Sequence, residues 1–274
     1  MVACLRHLVN LCVDFFATKP QGKSLMIIAL CNDDGIRAPG IRALYDAAKQ
    51  AGHTVYVVAP LSEQSAVGHA ITVRTPLRVK TLSENGFTGF GVYGTPADCV
   101  KLGIANLLPE KPDIVLSGIN AGANVGPDII YSGTVAAARE GSSMGYNAMA
   151  VSYDSFEPAD LLQHAAFAIK IMETIPWKQL PKRRVMNLNL PAGPIEQCKG
   201  LKVCPQTATA WRDWYHERTD PRGMRYWWID GEIPPEKVEK GTDRACLSDG
   251  WATLTPLAFD FTDTALLTLL QNRM

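Results

Sequence analysis

An apolar run, Leu25-Met26-Ile27-Ile28-Ala29-Leu30-Cys31, ends abruptly in Asn32-Asp33-Asp34-Gly35. An unbroken apolar run closed by turn residues predicts a parallel strand covered on both faces. Ile41, Leu44, Tyr45 and Ala48 follow at i, i+3, i+4, i+7 spacing, which predicts an amphipathic helix stopped by Gly52. Thr54 to Pro60 reads as a second strand, so the opening unit is β-α-β with a right-handed crossover. Short alternating runs around Ala70–Val73, Leu77–Val79 and Phe87–Tyr93 predict an antiparallel or edge excursion. A helix over Pro96–Leu107 with Thr95 as N-cap comes next, then a buried strand over Asp113–Gly118. A helix over Ser132–Met144, a strand over Asn147–Ser152 and a helix over Pro158–Met172 continue the alternation to about residue 190. This is the pattern of a doubly wound, Rossmann-like α/β domain with a mostly parallel sheet.

The character changes at Ala192. Trp211, Trp214, Tyr215, Tyr226, Trp227 and Trp228 crowd a segment that also carries four arginines. Such rings can stack on a nucleobase, but they more often fill a subunit interface, and an interface is expected of this segment. A strand over Trp251–Thr255 and a tail over Asp263–Leu270 close the chain. The expected organisation is an N-terminal extension (1–24), an α/β catalytic core (25–191) and a smaller C-terminal β-extension (192–274) that completes the fold and forms the oligomer interface.

Residues 1–24 are too interrupted, by Asn10 and Asp14, for a secretory signal or a membrane span. An upstream start or a loosely attached arm is expected. Lys+Arg and Asp+Glu balance at 27 each, which argues against a general nucleic-acid surface. The seven cysteines are odd in number, scattered and without a C-x-x-C pair. They read as reduced thiols of a cytoplasmic protein with no membrane partner.

The chemistry concentrates at strand ends. Asp33 and Asp34 repel each other unless a cation or a shared proton lies between them. A hard cation such as Mg²⁺ or Mn²⁺ takes carboxylate, amide and hydroxyl oxygens. The loop Glu63–Ala70 follows the second strand and offers Ser65. The loop Ser117–Gly126 combines three glycines with Asn120 and Asn124. It lacks the G-x-x-x-x-G-K-[ST] pattern of a P-loop. Ser132-Gly133-Thr134 opens a helix whose free N–H groups, dipole and hydroxyls suit a phosphate.

Four ordered segments carry a family resemblance: Ile28–Gly40, Gly94–Val100, Ser117–Gly122 and Tyr131–Ala138. Together they resemble the SurE family of stationary-phase survival proteins, which are metal-dependent 5'-nucleotidases. The similarity runs from Met26 to about Val151. It continues more weakly through Met186–Pro191 and Leu254–Leu257.

The resemblance implies one divalent cation per subunit, Mg²⁺ or Mn²⁺, held by Asp33, Asp34, Ser65 and Asn120. Asn32 would support the metal loop on the substrate side. Asn124, Ser132, Gly133 and Thr134 would hold the phosphate. Asp33 and Asp34 are the catalytic candidates, one of them acting as base or as nucleophile. The substrate would be a nucleoside monophosphate and the protein a homodimer or homotetramer. A broader 3'-nucleotidase or exopolyphosphatase, and a non-catalytic nucleotide-binding module, are the alternatives. Cys31 stands where many relatives have Ser or Thr. Ala66 stands where many have Gly after the ligand serine.

Overall fold

The computed structural model describes residues 25–157 and 160–273. The expected N-terminal extension lies outside them, as does the expected helix start at Pro158.

Strand β1 (Ile27–Cys31) is buried almost throughout. Helix α1 (Pro39–Gln50) has Pro39 at its first position, where the missing N–H costs nothing, and buries Ile41, Leu44, Tyr45 and Ala48. It lies so close to the sheet that a Cβ on Gly40 would sit 2.0 Å from the carbonyl oxygen of Ile119. Strand β2 (Thr54–Pro60) follows and pairs with β1 in parallel.

The excursion after β2 differs from expectation. Ala70–Val73 is not a strand. Its polar groups are taken by the start of α2 (Pro96–Leu102): Asp98 accepts from the Thr72 N–H (2.9 Å) and hydroxyl (2.6 Å), and the Thr95 hydroxyl donates to the Ala70 carbonyl (2.7 Å). Of Leu77–Val79, only Val79 enters a strand. Strands β3 (Val79–Glu84) and β4 (Phe87–Val92) form an antiparallel hairpin. The Asn85-Gly86 turn has positive φ at both residues, +51° and +81°, as a type I′ turn requires.

Thr95 caps α2 reciprocally with Asp98, and the helix ends at Leu102 in a wider π-type turn over Gly103–Leu107. Strand β5 (Ile114–Ala121), helix α3 (Gly133–Ser143), strand β6 (Asn147–Tyr153), helix α4 (Leu162–Thr174) and strand β7 (Arg184–Leu190) continue the alternation.

The main sheet has nine strands, in the order β3-β4-β2-β1-β5-β6-β7 followed by β11 (Ala252–Ala258) and β8 (Leu201–Val203). β4, β2, β1, β5, β6 and β7 are parallel. The last two come from the C-terminal region. β11 runs antiparallel to β7, and the three-residue β8 runs parallel to β11. Strands β9 (Arg212–Thr219) and β10 (Arg225–Glu232) make a separate antiparallel ribbon. Helices α5 (Asp243–Ser248) and α6 (Thr264–Gln271) flank β11 in sequence. No helix among the described residues is long and apolar enough to cross a membrane.

Helix α1 packs on α4, and α2 packs on α3. The right-handed rule places α1 on one face and α3 on the other, since β1→β2 and β5→β6 step in opposite directions. The β6→β7 step has the same direction as β5→β6, yet α4 joins α1. The β6-α4-β7 crossover is therefore left-handed. The core follows this layering, with a main cluster built around Ile28, Leu30, Leu44, Leu116 and Met149. A smaller cluster, including Val135, Ala138 and Val185, lies under α3.

Candidate active site

The chain leaves β1 towards β2 and later returns to β5 on the opposite side of β1. This reversal opens a crevice beyond the carboxyl ends of the two strands, where α/β sheets bind ligands. Asp33-Asp34 follows β1, and Asn120 lies near the end of β5.

The aspartate turn is held from within. Asn32 is fully enclosed and its amide donates to the Gly35 carbonyl (2.9 Å). Its other amide atom, Oδ1, has no hydrogen-bond partner among the described residues. Gly35 takes φ +100°, which a side chain would resist.

Asp33 is buried, and its carboxylate accepts a short hydrogen bond from the Thr134 hydroxyl. The same hydroxyl lies 3.4 Å from Asn120 Oδ1. Asp34 is half-buried and accepts from the Ala121 N–H (3.3 Å). Gly133 faces Asp33 so closely that a Cβ there would be 2.7 Å from the Asp33 Cβ and 2.8 Å from its Oδ2. Ser132 caps α3 by accepting from the Val135 N–H (3.0 Å). The amino end of α3 thus abuts the aspartates directly.

Burial raises the pKa of Asp33 above the ordinary value, although the Thr134 hydroxyl opposes the shift. Asp34 is pushed up to about 7, first by burial, then by the charge of Asp33 and, more weakly, that of Glu63. These are carboxylates without enough positive charge around them. No third carboxylate, imidazole or thiolate groups with them at metal-ligand spacing among the described residues. The remaining donors are neutral oxygens: the Asn120 amide and, on the neighbouring loop, the Ser65 hydroxyl. That all-oxygen set fits a hard divalent cation.

The loop after β2 reaches the site through its backbone, where the Gln64 N–H donates to the Asp33 carbonyl (2.8 Å). Ser65 is exposed and its hydroxyl donates to Glu63 (2.7 Å). Glu63 and Ser65 thus sit on one arm at the mouth of the crevice. Ala66 takes φ +57°, where glycine would be unstrained. Cys31, the other unusual residue, is buried with its thiol directed at the Asn32 (3.5 Å) and Pro96 (3.8 Å) carbonyls.

Asn124 is fixed from the far side. Its N–H donates to Asn189 Oδ1 (2.8 Å), and its carbonyl accepts from the Asn187 (2.8 Å) and Asn189 (3.0 Å) amides. Its own side chain donates to Ser152 (2.8 Å). Two residues on, the Gly126 N–H donates to Asp243 Oδ2 (2.9 Å), which ties the loop to α5. The geometry therefore brings Asp33, Gly133 and Thr134 into direct contact, with Asn120 reached through the Thr134 hydroxyl, Asp34 held on the Ala121 N–H and the Asn124 side chain turned to Ser152. Ser132 stands beside them as the cap, Asn32 behind them and Ser65 at the rim.

A family model described as "Survival protein SurE" matches residues 28–213. The chain belongs to the SurE family. It is 66% identical over 249 residues to a protein of Oleidesulfovibrio alaskensis named "5'-nucleotidase SurE", covering 91% of this chain and 96% of that one. A protein of the same name from Nitratidesulfovibrio vulgaris (strain Miyazaki F) is 64% identical over 238 residues, 87% and 88% of the two chains. The fold is also that of the crystal structure of the SurE protein from Aquifex aeolicus. The two share 36% identity with a TM-score of 0.78, over 90% of this chain and 99% of that one.

In this SurE chain, sequence reasoning did not single out Glu63, Asn187, Asn189, Ser152 or Asp243. A signal for the asparagines was present in Asn187-Leu188-Asn189, which places two amides inside an apolar strand. Buried amides of that kind need partners, and they find them on the loop of Asn124.

Proposed function

We propose that this protein hydrolyses nucleoside 5'-monophosphates to nucleoside and phosphate. The observation that carries the reading is the contact of Gly133 with Asp33, which makes the carboxylate pair and the helix start one site. Asp33, Asp34, Ser65 and Asn120 would hold one Mg²⁺ or Mn²⁺ per subunit. When bound, the metal polarises a phosphoryl oxygen and lowers the pKa of a coordinated water.

The chain's own residues do the rest. The N–H groups at the start of α3 and the Ser132 hydroxyl, whose oxygen caps the helix and whose proton is unspent among the described residues, receive the phosphate oxygens and offset the charge that grows on them. Asn124, its backbone clamped by its asparagine neighbours and one amide hydrogen given to Ser152, would offer the other amide hydrogen to the phosphate. Thr134 also orients the Asp33 carboxylate. Asp34, with its exposed face, accepts the proton of the attacking water.

The exposed aromatic ribbon supports a homodimer or homotetramer. Tyr215 and Ile229 pair across its strands and are 64% and 61% exposed.

The test is phosphate release from AMP and GMP with Mn²⁺ or Mg²⁺. EDTA should abolish it, and Asp33→Ala should lose it. Full activity in Asp33→Ala would sink the metal assignment.

A further inference from the structure

Ser132, Ala136 and Arg139 lie at i, i+4, i+7 and share one face of α3. A cavity of about 160 Å³ opens over that face, walled by Phe259, Phe261 and Gln206 from the C-terminal region. It begins beside Ser132, the cap of the helix whose next residue touches Asp33.

Among the described residues lining this cavity Arg139 is the one arginine or lysine, and the ring of His69 is bonded to Glu140 (2.8 Å). The Arg139 guanidinium lies 4.6 Å from the Phe259 ring centre and 4.9 Å from that of Phe261. No carboxylate pairs with it among the described residues. The adjacent Glu140 is already engaged by His69 and Lys101. Burial lowers the pKa of Arg139 from its ordinary value, and the adjacent Glu140 carboxylate only partly opposes the shift. A half-enclosed guanidinium with free N–H groups and aromatic neighbours is built to meet a planar, acceptor-bearing ring.

We infer that this cavity receives the nucleobase of the substrate, with Arg139 as the specificity-determining donor to a 6-oxopurine. The inference rests on the nucleotidase reading above and adds the base that the site selects. Seven residues of helix separate Ser132 from Arg139, about 10 Å of rise. Side chains on a helix lean back towards its start, a direction that shortens the span a nucleotide must bridge from the cradle to Arg139. Guanine and hypoxanthine present two acceptors, O6 and N7, that a guanidinium binds as a pair. Adenine puts an N–H₂ donor at the same edge, and arginine has no acceptor to meet it. Phe261, 77% exposed, supplies a stacking face for any base.

The test compares kcat and KM for GMP, IMP, AMP and ribose 5-phosphate in wild type, Arg139→Leu, Arg139→Lys and Phe261→Ala. Binding of guanosine and adenosine, which carry no phosphate, is measured alongside by calorimetry. Wild type should favour GMP and IMP over AMP. In both arginine variants the GMP-to-AMP ratio of kcat/KM should fall by about tenfold or more, through KM, with guanosine binding weakened in parallel. Phe261→Ala should raise KM for every nucleotide while preserving the ratio.

An equal loss on GMP, AMP and ribose 5-phosphate would overturn the inference, since Arg139 would then be a latch for the C-terminal segment. An unchanged ratio in Arg139→Leu would overturn it as well. Failure of wild type to release phosphate from any nucleoside monophosphate would overturn the nucleotidase reading itself.

Discussion

Asn189 grips Asn124 by both of its backbone polar groups, accepting from its N–H at 2.8 Å and donating to its carbonyl at 3.0 Å. The clasp sets the backbone of a loop residue from a strand two positions across the sheet. Removing it strands a buried N–H, at a cost of about 1–3 kcal/mol. Asn189→Ala should also lower kcat/KM on AMP by about tenfold to a hundredfold, because a small misplacement of a donor is amplified in rate. Metal affinity should change little, since the aspartates and Asn120 are held by other contacts. Steady-state kinetics and a Mn²⁺ titration check both halves.

Gly133→Ala sets two effects against each other. Alanine favours a helix by about 1 kcal/mol over glycine. The added methyl would meet Asp33 at under 3 Å, and crowding of that kind typically costs about 1–3 kcal/mol. The clash should win at the site even where the helix gains. Mn²⁺ affinity and turnover should each fall by roughly tenfold or more, with the melting temperature nearly unchanged. Wild-type Mn²⁺ binding in this variant would contradict the contact.

Glu140 accepts from His69 (2.8 Å) and Lys101 (2.7 Å), and these partners, His69 foremost, hold its pKa below the ordinary 4.5. A carboxylate depressed in the folded state stabilises it fully above the unfolded value. That contribution is lost as pH falls through the lower folded value. Glu140→Gln should therefore be less stable than wild type at pH 7, by about 1–3 kcal/mol. The gap should close as the pH drops below 4.5. Denaturant melts across this range would show it, and a gap independent of pH would exclude the ion-pair account.

Tyr215 and Ile229 face each other on a ribbon whose sides are both open in the single chain. Introducing charge there with Tyr215→Glu and Ile229→Lys should shift the protein to a smaller species in size-exclusion chromatography with light scattering. The circular dichroism spectrum should be retained. An unchanged mass would place the subunit contact elsewhere.

The alternation of strands and helices to residue 190 was legible because each parallel strand is a closed apolar run and each helix shows an i, i+3, i+4 stripe. The strand-end position of Asp33-Asp34 was legible for the same reason. Ala70–Val73 misled because its alternation is that of a loop whose polar groups Asp98 captures. The hairpin was marked by Asn85-Gly86, a local signal overlooked beside the weaker runs around it. The left-handed crossover at α4 has no local signature, since handedness is decided by which helix offers α4 a packing face. The asparagine clasp stayed hidden because it joins residues more than sixty positions apart, and spacing along the chain says nothing of such pairs. Beyond residue 192, β9 and β10 have no buried face, so no alternation marks them.

Gly40 rests its α-carbon against the Ile119 carbonyl with no room for any side chain. The helix that follows the aspartates and the strand that carries Asn120 are therefore keyed together at one fixed separation. The arm bearing Glu63 and Ser65 is tied to both halves of the site by its backbone, the Gln64 N–H to the Asp33 carbonyl (2.8 Å) and the Gly68 N–H to the Tyr131 carbonyl (2.9 Å), so the rim of the crevice is set by the same residues that set its floor.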